Sequence, residues 1–218
     1  WERLKGFMIK AGTILLLACI VMWFLAGYGF TDGGFGAVEN PQDSLMAAVG
    51  GAIAVLFAPL GFGSGEYAWA SVAASISGFS AKEAIVSTMG TLANVVGDAE
   101  DPGTVAAAVG AWFPSAIAAF SFLLFNLLDS PCLAAISTMA KEMNDRKWFW
   151  FAILFQNFFA YVITFMVYQI GAVVTGAAAF GVGTAIAIVF LIAFLFLLFR
   201  PDPYKGQQFK TKRSVAGA

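Results

Sequence analysis

The chain has 218 residues, 60% of them hydrophobic and only 11% charged, with a formal net charge of −1 and no histidine. An ordinary soluble domain carries roughly 25% charged residues, so a soluble fold of this length would lack the polar surface to cover itself. The composition therefore implies an integral membrane protein, and the missing histidine excludes His-based metal sites, Ser-His-Asp triads and Cys–His nucleophile pairs.

The opening "WERLKGFMIK" reads as a helix already under way, and the chain starts at Trp1. A fragment, or one half of a longer polypeptide, is expected. The first apolar run, 11–27, has no small-residue cleavage site followed by a soluble stretch, so it is not a secretory signal. A helix needs about 20 apolar residues to cross about 30 Å of hydrocarbon. Four runs satisfy this: 7–28, 105–128, 148–174 and 177–199. The region between the first two is broken. Residues 45–60 end at "PLGFGSGE", 67–77 end at "GFSAKE", and 84–96 resume the apolar pattern. Pro59, Gly61, Gly63, Gly65 and Gly78 punctuate it, and short apolar segments interrupted in this way mark discontinuous helices at a transport site.

Eleven of the twelve basic residues cluster before the first run, in "KEMNDRK", and in the tail from Arg200; the twelfth is Lys82. The loops "TDGGFGAVENPQD" and "GDAEDPG" carry acids only. The positive-inside rule places the basic ends in the cytoplasm and the acidic loops outside. Parity holds if 44–97 cross twice and each long run once. The expectation is an all-α polytopic helical membrane protein with about six transmembrane segments, a membrane domain over 1–199 and a basic cytoplasmic tail over 200–218.

Glu66, Lys82, Glu83 and Asp129 fall outside the water-facing loops, where an ionised side chain costs about 3 kcal/mol or more. Lys82 and Glu83 read either as a local ion pair or interfacial pair, or as part of a site. Adjacent helical residues point about 100° apart, so a direct bridge between the two is poor. Glu83, Ser87, Gly90, Thr91 and Asn94 share one helical face, which either packs on neighbours or lines a wet path. Asn157, Tyr161, Thr164 and Tyr168 form a second stripe with the same two readings. In "LLDSPCLAAI", Pro131 deprives the Leu127 carbonyl of its helical partner and puts Cys132 at the first turn of the next helix. Helix N-termini favour the thiolate that binds borderline metals, although most free cysteines are small buried hydrophobes. Cys19 has nothing polar beside it and reads as packing. Met89 and Met139 are thioethers that usually serve as filler, and Glu66 reads as a cytoplasmic-facing turn acid.

"APLGFGSGEYAWASVAASISGFSAKEAIVSTMGTL" resembles the second Gate segment of the ferrous iron transport protein B (FeoB) family, with its PLGFG and AKE motifs. "LLDSPCLAAISTMAKEMNDRKWFWFAILFQNFFAYVITFMVYQIG" resembles the part that follows. The resemblance covers about residues 2–171. It implies a preceding portion with a cytoplasmic GTPase domain using GTP and Mg2+, a helical spacer and a first Gate half, with the ion site between the halves. By position, Glu83 matches the Glu of the AKE motif and Cys132 the Pro-Cys cysteine, as candidate residues of an Fe2+ path, with Asp129 and Ser87 as accessory candidates. Asp129 and Ser130 depart from the aromatic or small neutral residues of the family at these positions.

The resemblance thus implies the membrane half of a GTP-dependent Fe2+ transporter in a bacterial cytoplasmic membrane, both ends of the chain inside, with no enzymatic role for this chain and no nucleic-acid partner. It leaves homo-oligomerisation open. Two rivals remain at this level: a nucleoside-recognition Gate-type solute transporter, and a scaffold whose polar stripes only pack helices. An intramembrane enzyme fits poorly, because Cys132 has no histidine to activate it.

Overall fold

A computed structural model describes residues 2–31, 34–38, 40–79, 82–93, 102–143 and 145–200. The tail expected over 200–218 therefore lies outside the described residues beyond Arg200. Among them the chain is helical, apart from one small hairpin. The helices are α1 (Glu2–Gly27), α2 (Leu45–Phe57), α3 (Ala68–Gly78), α4 (Ala84–Leu92), α5 (Pro102–Val109), α6 (Ala116–Leu128), α7 (Leu133–Glu142), α8 (Arg146–Val174) and α9 (Val182–Phe199).

Three stretches among the described residues are long and apolar enough to cross a membrane: Ala116–Glu142, Arg146–Val174 and Val182–Phe199. The first carries the break between α6 and α7. α1 adds 26 residues, about 39 Å of helix at 1.5 Å per residue. The large side chains of α9 are almost all outward; only Thr184 and Ala187 are buried. A helix apolar all round with so little covered is matched to lipid.

The run expected as one span over 105–128 is divided. Residues Gly110–Trp112 form a 3-10 turn, Pro114 follows, and α6 starts afresh with Ser115 as N-cap, its hydroxyl accepting from the Ala118 N–H at 3.3 Å. Proline lacks an N–H and disfavours helix in the residue before it, which is why apolarity alone misplaced this boundary. A hairpin also appears where a loop was expected: β1 (Tyr28–Thr31) pairs antiparallel with β2 (Gly34–Ala37), Thr31 opposite Gly34. The two residues between the strands are Asp32 and Gly33, a dipeptide that signals a tight hairpin turn.

The broken region is built from half-length pieces. α2, α3 and α4 have 13, 11 and 9 residues, about 20, 17 and 14 Å against about 30 Å of hydrocarbon. Their directions follow from contacts. α6 and α8 run antiparallel, since Gly171 abuts Ile117 while Gln156 reaches Asp129. The end of α2 meets the middle of α8, where the Tyr161 hydroxyl donates to the Leu56 carbonyl at 2.8 Å. The end of α3 lies by the end of α6, with Gly78 against Ile85 and near Asn126. α4 then returns, and Leu92 and Ala93 line a cavity with Tyr67 and Trp69 at the start of α3. Among the described residues of 44–97, no helix is long enough to cross the hydrocarbon alone.

α3 is the centre of the molecule. Nine of its eleven residues are buried, and all but Val72 of these are Ala, Ser or Gly. Small residues let backbones approach closely, the main packing device where lipid removes the hydrophobic drive between helices. Around α3 lie Met46, Leu60, Phe62, Met89, Trp112, Phe122 and Phe125.

Between α2 and α3 the chain turns back through the buried Leu60, Gly61, Phe62 and Gly63. Gly61 has φ +91°, and a Cβ built on it would fall within the Tyr168 ring. A Cβ on Gly63 would overlap the backbone of Ala54, Phe57 and Ala58. Gly65 also has positive φ (+102°) but open space around it. Gly65→Ala should therefore cost about 1–2 kcal/mol of backbone strain, whereas Gly61→Ala adds a clash with a packed ring and should cost about 1–3 kcal/mol more. Thermal midpoints in detergent check this; equal losses for the two variants would contradict the close packing of Tyr168.

Candidate ion-handling site

The two breaks that the sequence singles out, around 79–83 and 128–132, come together. Their backbones are joined directly: the Leu133 N–H donates to the Phe79 carbonyl at 2.8 Å. Helix α6 ends here because Pro131 cannot continue the hydrogen-bond ladder, so the last carbonyls of α6 need other partners. Lys82 supplies one. Its ammonium donates to the Asn126 carbonyl at 2.7 Å and forms an ion pair with the Asp129 carboxylate. A cation at a helix C-terminus is also favoured by the helix dipole.

The pair is asymmetric. The Asp129 side chain is 1% exposed and the Lys82 side chain 35%. Asp129 is further fixed by its backbone, whose N–H donates to the Phe125 carbonyl at 2.8 Å and whose carbonyl accepts from the Gln156 side-chain amide at 3.2 Å. Asn126 is 6% exposed. Its amide N–H groups donate to the Ser75 hydroxyl at 3.1 Å and the Phe122 carbonyl at 2.7 Å, while its Oδ1 is buried without a partner.

The four residues expected at the site are distributed as follows. Cys132 is half-buried and is the N-cap of α7, with extended backbone (φ −60°, ψ 160°). Asp129 is the C-cap of α6 and the partner of Lys82. Glu83 is exposed at the N-cap of α4, makes no side-chain capping bond and is adjacent in sequence to Lys82. Ser87 lies one turn into α4, half-buried, its carbonyl accepting from Thr91 at 3.0 Å. Asn94, expected to continue that polar face, lies outside the described residues. The structure thus brings Asp129 and Cys132 to the junction, and puts Glu83 and Ser87 at the start of the helix that leaves it. No three of Cys, Asp and Glu come within metal-holding reach of one another among the described residues.

Sequence reasoning missed Lys82 as a member of this cluster. The signal was present: Lys82 is the one basic residue outside the basic clusters, and Asp129 one of three acids outside the expected water-facing loops. Matching an unplaced cation to an acid at a distant break would have found the pair.

Of the second polar stripe, Tyr161 caps broken backbone, Asn157 bonds the α6–α7 break through a side chain, and the buried Thr164 hydroxyl has no partner. Asn157 donates to the Ser130 hydroxyl and to the Ile153 carbonyl. Tyr161 caps the Leu56 carbonyl, and Gln169 donates to the Pro59 carbonyl at 2.9 Å. From α6, the Ser121 hydroxyl reaches the Leu60 carbonyl at 2.7 Å. Apart from the Ile153 carbonyl within α8 itself, these acceptors sit at the end of α2, in the turn after it, or at the α6–α7 break.

Other expectations resolve differently. Cys19 is exposed on α1, so it packs against nothing of bulk in this chain and faces outward. Met89 is buried in the core and Met139 is half-buried on α7. Glu66 is exposed and shares a cavity of about 580 Å³ with Asp43, Gln42 and Trp69. That sets it beside the acidic loop, not among the basic ends where a cytoplasmic turn would lie. A larger apolar cavity of about 640 Å³ between α4, α5 and α6, lined by Met89, Phe113 and Phe122, has no charged group on its wall.

The family model of the Gate domain, described as nucleoside recognition, matches residues 8–146. A relative named Fe(2+) transporter FeoB from Staphylococcus aureus is 35% identical over 171 residues, covering 78% of this chain and 24% of that protein. Proteins of the same name from Methanocaldococcus jannaschii and Campylobacter jejuni are 34% and 31% identical over 176 and 175 residues, covering 78% and 76% of this chain and 24% and 27% of theirs. The chain thus spans about a quarter of the length of these relatives. No solved structure matches it.

Removing one partner of a buried ion pair strands the other. Lys82→Met should destabilise the protein by about 1–3 kcal/mol, less than for a fully buried pair because the ammonium is partly exposed. The double variant Lys82→Met/Asp129→Asn should recover most of that loss. Thermal midpoints in detergent measure both; a double variant as unstable as the sum of the single changes would contradict the pairing.

Proposed function

This chain belongs to the Gate family, and from that premise we infer that it is the membrane half of a ferrous iron transporter, with the junction of its two helix breaks on the ion path. The observation that carries the reading is the buried Asp129 carboxylate beside the freed Asn126 carbonyl at the end of α6, with the half-buried Cys132 three residues on. Fe(II) is a borderline cation that accepts carboxylate, thiolate and carbonyl oxygen. A path must strip water from the ion yet release it, so few ligands of mixed softness suit it better than a closed cage. The sequence similarity to proteins named Fe(2+) transporter FeoB supports the choice of ion.

In this reading Glu83 and Cys132 line the path, Cys132 at the junction and Glu83 at its exposed margin, with Asp129 and Ser87 alongside. Gating is coupled to GTP and Mg2+ in a domain outside this chain, and a first Gate half completes the path. The chain sits in a bacterial cytoplasmic membrane with its basic ends inside. Its part in the process is conduction; hydrolysis belongs to the other domain.

A second reading has one specific support, the description of the matched family as nucleoside recognition. A nucleoside would need aromatic and amide groups converging on a roomy pocket. The cavity by Phe113 is lined by apolar side chains with Ser115 as its one hydroxyl, which suits a nucleoside poorly.

Anaerobic Fe(II) uptake into vesicles carrying the full-length parent transporter tests the lead reading. Cys132→Ser and Glu83→Gln should each lower uptake by tenfold or more, about 1.4 kcal/mol or more in the rate-limiting barrier. Uptake unchanged in both variants, with both proteins folded, would refute the assigned path.

A further inference from the structure

The ammonium of Lys82 occupies a position built for a cation. It sits between a backbone carbonyl, Asn126 O at 2.7 Å, and the carboxylate of Asp129. Cys132 follows within three residues of Asp129. Carboxylate, carbonyl and thiolate are a donor set for a divalent ion of borderline character. The single cation found there is carried on the chain's own side chain.

The two halves of the pair differ in freedom. Asp129 is sealed and its backbone bonded on both sides. Lys82 is a third exposed and reaches the position on a four-carbon stem from the turn before α4. A lysine stem changes rotamer far more cheaply than a helix cap moves. If the pair opens, Lys82 leaves and Asp129 stays.

Resting on the transport reading above, we propose that Lys82 is a tethered competitor of the transported cation: a divalent ion enters the position at the end of α6 by displacing the Lys82 ammonium from Asp129 and the Asn126 carbonyl, and the returning ammonium expels it. Charge supports the exchange. With Lys82 bound, the site holds one positive and one negative charge. With a divalent ion bound to Asp129 and to the Cys132 sulfur, whose thiol proton passes to water as the metal–sulfur bond forms, two positive charges again face two negative ones, and the ammonium is free to reach solvent. The competition keeps affinity low without removing ligands, which meets the requirement that an ion enter and leave quickly. It also selects against monovalent ions, which bring no more charge than the ammonium they would have to replace.

Mn(II) titration of the purified full-length transporter, read by the electron paramagnetic resonance of the free ion, tests this independently of transport. Lys82→Gln should bind Mn(II) at least about tenfold more tightly than wild type, equal to about 1.4 kcal/mol of competition removed. Lys82→Arg, whose fork grips a carboxylate more firmly, should bind it several-fold more weakly, and Asp129→Asn should abolish binding at this site. Mn(II) should also slow alkylation of Cys132 by a maleimide in wild type, and do so at lower concentration in Lys82→Gln. Equal Mn(II) affinity in wild type and Lys82→Gln overturns the proposal; if Lys82→Gln does not fold, equal affinity in wild type and Lys82→Arg overturns it. A wild type that binds Mn(II) in this pattern but transports no Fe(II) would sink the transport reading and leave the displacement standing.

Discussion

Inside a bilayer a backbone carbonyl that loses its helical partner has no water to turn to, and leaving it bare costs several kcal/mol. The rest of this structure follows from that constraint. The chain breaks its helices after Phe57 and after Leu128, and each break releases carbonyls at membrane depth. Tyr161 and Gln169 satisfy Leu56 and Pro59, Ser121 satisfies Leu60, Ser71 satisfies Phe62, and Lys82 satisfies Asn126. The polar residues of α6 and α8 are therefore the conditions under which irregular backbone survives at that depth. They also keep it there as a scaffold on which ion-binding groups can be held.

Much of this was legible in the sequence, and the reasons are specific. Breaks at Pro59–Gly65 and at Pro131 were readable because proline and glycine act locally, through a missing N–H and a permitted positive φ. The long helices were readable because their length is dictated by the thickness of the hydrocarbon. The stripe at Asn157, Tyr161 and Thr164 was visible as a period, but its task was not. Whether a polar side chain packs, lines a path or caps a carbonyl depends on what a distant segment presents to it. The division of the 105–128 run escaped because apolarity outvoted a single Pro114, although the proline was the stronger evidence.

The candidate site was half legible. Cys132 and Asp129 were found through their break, a local feature. Their companion Lys82 comes from 47 residues earlier in the chain, and no local rule pairs residues at that separation. The attention given to Glu83 and its neighbour obscured the partnership, since two adjacent charges invite a local explanation. "APLGFG" and "DSPCLA" are both proline-containing interruptions, each with a carbonyl tied down by α8. That common anchor makes α8 the mast to which both broken segments are rigged.

The main-chain bond from Leu133 to Phe79 has a consequence for how this protein can vary and move. It is a stitch between two hinges, made of peptide groups that every sequence possesses, so side-chain drift does not loosen it. A length change in either turn, however, would drop the stitch. Insertions and deletions near 79–83 and 128–133 should therefore be tolerated only in matched pairs, and any swing of α7 must tug the start of α4 with it. A force applied to α7, beside the basic loop, would thus reach the segment before α4 through a single main-chain hydrogen bond.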